Sequence, residues 1–211
     1  MNNIFDPDSW LMQFLTRFSS LVILNFLFLF TCIPTFTIGA ALTALYDVVF
    51  RMDTEREGKL VATYFRSFLS NFKQSTPAWL IFTLLIGASC ANAVIFSNMD
   101  GTFGYLLFLI TMVILINTML VLGYVFPLMS QFHNTLGNSL KNALLLSIAN
   151  LPRTLIITVI NCFPWALMVM NLYTFIKIGF LWFTLYFAAA AYFNSRVLMK
   201  VFDPLKAQSS K

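Results

Sequence analysis

The chain has 211 residues, of which 59% are hydrophobic and 10% charged, with a mean hydropathy of +0.81. Soluble domains carry about 25% charged residues, so this composition excludes an ordinary soluble domain and suits a bilayer. The net charge of +5 is not a nucleic-acid footprint: the basic residues lie mainly between hydrophobic runs, as the positive-inside rule places them, so the expected partner is lipid and not nucleic acid.

Residues 1–9 carry Asp6 and Asp8 and no basic residue. A secretory signal needs a positive leading region, so an uncleaved N-terminus is expected. Trp10, Leu11, Phe14 and Phe18 recur at helical spacing beside Arg17, which reads as an interfacial lead-in to a first span over 14–33. That is close to the ~20 residues a helix needs to cross the hydrocarbon core.

Pro34 then interrupts the run. Proline lacks an amide donor and suits the first turn of a helix better than its interior. A second span is therefore expected over 34–51, giving a helical hairpin; the alternative is one Pro-kinked helix. Gly39 with Thr43 and Ala40 with Ala44 form small-xxx-small pairs, which let helix backbones approach closely in lipid. Asp47 is the one acidic residue inside a predicted span, and such groups are functional candidates. It is also one turn before Arg51, in reach of an ion pair at the interface.

Residues 51–75 carry a basic excess and read as a cytoplasmic segment. Within 60–72 a helical wheel puts Leu60, Val61, Tyr64, Phe65, Phe68, Leu69 and Phe72 on one half. Thr63, Arg66, Ser67, Ser70 and Lys73 fall on or toward the other. An amphipathic helix lying on the membrane or on a partner is expected, with Phe68 and Phe72 on its working face. A third span over 77–96 contains Gly87, Ser89, Ala91 and Ala93, read as a second close-packing face, and Asn92, expected to bond across helices. The loop 97–104 has Asp100 and no basic residue, so it faces outside.

The fourth span is expected over 105–129. Residues 131–153, with Lys141 and Arg153, return to the cytoplasm and carry a weaker amphipathic stripe of Leu136, Leu140, Ala143, Leu144 and Leu151. The last two spans are expected over 154–170 and 173–193, and the basic residues that follow put the C-terminus in the cytoplasm. If the Pro34 break does not reach the far side, there are five crossings instead of six. The segments SFLSNFKQSTPAWLIFTLL and NSLKNALLLSIANLPRTLIITVI echo one another as amphipathic helix, proline and span.

Chemistry is sparse. There is no phosphate-binding loop, no HExxH and no plausible nucleophile arrangement, so no catalytic residue, cofactor or metal is expected and an enzyme is not. His133 is a lone histidine read as solvated or hydrogen-bonded. Cys32, Cys90 and Cys162 sit in apolar runs and read as small buried hydrophobes.

The stretch NFLFLFTCIPTFTIGAALTALYDVV, followed by YFRSFLSNFKQSTPAWLI, resembles the YesL family, the bacterial membrane proteins defined by domain of unknown function 624. The resemblance rests on Asn25, Pro34, the Thr37, Ile38 and Gly39 block and the Ala44, Leu45 and Tyr46 block, and later on SLKNALLLSIANLPRTL. It implies an origin among Gram-positive bacteria and a role beside carbohydrate ABC importers, with no catalytic residue to carry over. The segment 131–153 is also loosely similar to the loop by which importer permeases dock on their ATPases.

The expectation is thus an all-α polytopic membrane protein. Residues 1–211 form one domain of about six spans, with two cytoplasmic amphipathic helices. The expected function is an accessory or regulatory component of a bacterial carbohydrate uptake or utilisation system; the alternative is a transporter or permease subunit for a small solute such as a sugar. A permease should gather polar residues at a midplane cavity, for which Asn25, Asn92, Asn117 and Asn161 are the candidates. The candidate positions of structural or functional weight are Asn25, Pro34, Gly39, Asp47, Arg51, Phe68 and Phe72.

Overall fold

The computed structural model describes residues 10–52, 60–132 and 134–209, with side chains to 206. His133, the acidic segment 1–9 and part 53–59 of the basic loop lie outside the described residues. Every described element is helical: α1 (Trp10–Thr31), a 3₁₀ turn (Thr35–Thr37), α2 (Ile38–Arg51), α3 (Leu60–Ser97), α4 (Thr102–Gln131), α5 (Leu136–Ala149), α6 (Leu151–Met170), α7 (Leu172–Lys177), α8 (Gly179–Leu181), a π-helical turn (Trp182–Tyr186) and α9 (Phe187–Ser209). Among the described residues, α1, α3, α4 and α6 are long and apolar enough to cross a membrane.

The chain breaks at Pro34 and does not merely kink. Pro34 is extended, at φ −76° and ψ 109°, and the break is sealed by Thr37. Its hydroxyl lies 2.5 Å from the Thr31 carbonyl oxygen and 2.6 Å from that of Pro34. The helix-end carbonyl that Pro34 cannot serve thus still finds a donor. Trp79 Nε1 donates to Thr35 O at 2.9 Å and ties the turn to α3.

The structure segments three of these stretches differently. The amphipathic helix over 60–72 and the span over 77–96 are one helix of 38 residues with Pro77 inside it. At 1.5 Å per residue α3 is about 57 Å long, against a hydrocarbon core of about 30 Å. The 34–51 span is carried by a helix of 14 residues, about 21 Å. The 173–193 span is not one helix: it is divided among α7, α8, the π turn and the start of α9. The echo between the two amphipathic segments also ends here, because α3 runs through Pro77 while α5 and α6 are separated at Asn150, with Pro152 in the first turn of α6.

α2 is the centre of the packing. From Gly39 to Phe50 every side chain but Leu42 is buried, and the core continues through Leu24, Phe28, Tyr64, Phe82, Tyr124, Phe126, Ile157, Leu198 and Phe202. Gly101, at φ +92°, makes the turn from α3 to α4 in a region that L side chains avoid. The antiparallel course of these two helices brings Ser75 beside Met129 and Trp79 beside Phe126.

Candidate functional site

Small residues let α2 into the centre. A Cβ on Gly39 would overlap the Ser75 carbonyl oxygen and lie 2.7 Å from Trp79 Cβ. Thr43, one turn later, is fully buried with its hydroxyl 2.8 Å from that of Ser75. Glycine and threonine thus give α2 and α3 a close approach pinned by a hydroxyl pair. The stripe read in α3 behaves differently. Gly87 and Ala91 are exposed, and a Cβ on Gly87 would meet nothing; of that stripe only Ser89 is buried.

At the end of α2, Arg51 Nε donates to Asp47 Oδ1 at 2.9 Å. The Asp47 side chain is buried at 8% exposure while that of Arg51 is 50% exposed. The core end of the pair is therefore fixed while the cationic end reaches outward.

Asn25 holds the broken last run. It is fully buried in α1. Its Nδ2 donates to Phe183 O at 2.7 Å and stands 3.3 Å from Trp182 O, while its Oδ1 accepts from Ala188 N at 3.0 Å. A π turn shifts the i→i−4 pattern to i→i−5 and disturbs backbone pairing at its edges. A primary amide offers both a donor and an acceptor, so one side chain serves both kinds of backbone group. Around the turn, Trp182 stacks on Phe175 at 5.7 Å and meets Tyr186 edge-on at 4.5 Å. Trp182 Nε1 donates to Phe175 O at 3.2 Å, and the Tyr186 hydroxyl donates to the Ile160 carbonyl.

A second polar knot joins α2, α6 and α9. Asn194, fully buried, donates from Nδ2 to Asn161 Oδ1 at 2.8 Å and to the Tyr46 hydroxyl at 3.2 Å. Its Oδ1 has no hydrogen-bond partner among the described residues. Elsewhere on α6, the Thr154 hydroxyl lies 3.0 Å from that of Tyr124 and 2.8 Å from Ser147 O. Sequence reading passed over Asn194. Its signal was its register: it falls on the buried stripe of Ala188, Ala191, Leu198 and Val201.

The four asparagines do not gather. Asn25 and Asn161 serve separate knots. Asn92 is exposed and does not bridge helices, and Asn117 is exposed with its Nδ2 on Val113 O of its own helix. Phe68 and Phe72 are half-buried and meet edge-on at 5.7 Å, with Phe68 packed on the core. Burial departs from the wheel at several positions: Ser67 is buried, while Val61, Phe65 and Leu69 are exposed. Cys32 and Cys162 are half-buried, but Cys90 is exposed and so not a buried hydrophobe. The groups collected in the interior are mostly neutral amides and hydroxyls bonded to one another and to backbone, an arrangement that locks helices together.

No curated protein and no solved structure matches the chain. Residues 21–93 match the family model described as "Protein of unknown function, DUF624". The matched stretch holds Asn25, Pro34, Gly39, Asp47, Arg51, Phe68 and Phe72, together with the α2–α3 contact built on Gly39. Over that stretch, which forms the centre of the packing, the chain is similar to the DUF624 family.

Proposed function

We propose that this chain is a YesL-type, multi-pass protein of the cell membrane that assists or regulates a carbohydrate uptake or utilisation system in a Gram-positive bacterium. It spans the membrane about six times, α2 and the broken 171–193 run supplying the shorter crossings, and its C-terminus is cytoplasmic. The first half of α3 and α5 serve as its cytoplasmic amphipathic surfaces. The observation that carries the non-transporting reading is the dispersal of the asparagines: two face outward and two are consumed by separate helix-locking knots. A permease concentrates polar groups on a shared path. The carbohydrate connection comes from the family resemblance. The test is affinity purification of the full chain in mild detergent, with co-purification of sugar-importer subunits as the expected result.

One observation favours the second reading, a transporter or permease subunit. The last apolar run is discontinuous, with a π turn inside it, and broken helices commonly form transporter binding sites. Sugar flux into liposomes containing this chain alone would replace the accessory reading with this one.

A further inference from the structure

Asn117 stands exposed on the outer face of α4 with half of its amide unused. Its Nδ2 donates to Val113 O of its own helix at 2.9 Å. Among the described residues, its Oδ1 and its second N–H have no partner. Depth makes this costly. α4 has 30 residues, about 45 Å at 1.5 Å per residue, which leaves Asn117 about 20 Å or more from either end. α4 is long and apolar enough to cross a membrane. The hydrocarbon core is about 30 Å thick, so wherever it falls along α4, Asn117 lies at least ~7 Å inside it. A lipid-facing polar group at that depth has no water to bond and is left unsatisfied.

The side chains around it form a seam. Phe103, Leu106, Ile110 and Val113 are exposed and Leu120 is half-buried. With Asn117 they recur at alternating steps of three and four, the a and d positions of a heptad, and the asparagine takes one a position. Lipid alone accounts for the apolar members but not for the amide. A single asparagine at such a position fixes register and partner number when helices pair. The occupant follows from depth and from the chemistry of the group. A primary amide carries both a donor and an acceptor, so it complements itself. Copies of one chain inserted in one orientation hold the same residue at the same depth, and a two-fold axis along the membrane normal sets Asn117 against its counterpart. We infer that this face of α4 is the contact with a second copy of the chain, closed by reciprocal hydrogen bonds between the two Asn117 amides. The contact is independent of any carbohydrate role and rests only on the part of the proposed reading that seats α4 in the membrane.

The experiment measures energy transfer between donor- and acceptor-labelled copies of the full-length protein in liposomes, diluted with increasing lipid. The wild type should dimerise. Asn117→Leu should weaken the dimer about ten-fold, the worth of two interhelical hydrogen bonds in lipid, and Asn117→Gln, which keeps the amide, should retain most of it. Asn92→Leu, at an exposed asparagine on α3, should change nothing. In membranes, with Cys32, Cys90 and Cys162 removed, Val113→Cys should form a disulfide-linked dimer on oxidation. Leu84→Cys on α3 and Val159→Cys on α6, both exposed, should not. A monomeric wild type overturns the contact, a result that needs no variant to fold. Equal cross-linking at all three cysteines reduces it to random collision, and an undiminished dimer in Asn117→Leu places the interface elsewhere; both overturn it. Cross-linking of Val113→Cys to a different protein assigns the face to that partner and overturns the second copy. Reaction of Asn117→Cys with a water-soluble maleimide shows water at this depth and overturns the seating of α4 together with the contact, whereas no reaction and no cross-link overturns the contact alone.

Discussion

The side-chain oxygen of Asn25 accepts the backbone N–H of Ala188 at 3.0 Å, joining positions 163 residues apart. With the bonds from Nδ2 to the Phe183 and Trp182 carbonyls, this makes one residue of α1 the support of the irregular backbone at 182–188. Irregular backbone at membrane depth persists where protein groups satisfy it.

Asn25→Leu keeps nearly the same volume and removes both partners. Leaving buried backbone groups unpaired costs about 1–3 kcal/mol each. The variant should melt at lower temperature in detergent, and amide exchange should speed up at 183–188 more than at the α3–α4 contact. A uniform change in exchange across both regions would mean that Asn25 contributes only general packing.

Gly39 tests the central contact. Even Gly39→Ala places a Cβ on the Ser75 carbonyl, and overpacking costs typically 1–3 kcal/mol. Gly87→Ala, at a site with open space, is the matched control and should be neutral in the same thermal assay. Equal behaviour of the two would remove the close approach of α2 and α3.

For the first half of α3, the aromatic side chains should matter more than the charges. Phe68 packs on the core and Phe72 on Phe68, and burying one such side chain is worth roughly 1.5–3 kcal/mol. Phe68→Ala with Phe72→Ala should weaken assembly or partner recovery, whereas Arg66→Gln with Lys73→Gln should not. Greater damage from the charge pair would make this part of α3 a lipid or topology device.

Asp47→Asn should be mild for stability. Arg51 is half in solvent, and pairs of that kind are worth about 0–1 kcal/mol. A loss of importer recovery far beyond any change in thermal stability would instead assign Asp47 a direct functional role.

Topology is open to cysteine labelling in a background lacking Cys32, Cys90 and Cys162. Cysteines replacing Ser97 or Thr102, which flank the α3–α4 turn, should react from outside intact cells. A cysteine replacing Ser70, exposed on α3, should not. Labelling at Ser70 from outside inverts the orientation.

Local chemistry was legible in the sequence. The helical class and the apolar runs follow from composition, because lipid forces each backbone to satisfy its own hydrogen bonds. The stop at Pro34 follows from a missing amide, and the reach of Arg51 to Asp47 from i,i+4 geometry on a helix. The tertiary structure decided what no local rule contains. Whether Pro77 ends a helix depends on what surrounds it, and here α3 continues through. Whether a small residue is a contact depends on a neighbour: Gly39 meets Ser75, while Gly87 meets nothing. The division of 171–193, and the joining of Asn25 to Ala188 and of Asn194 to Asn161 and Tyr46, required the packed bundle. A buried amide takes whatever partner the fold brings to it, and that partner is set by packing across the whole chain and not by spacing within one stretch.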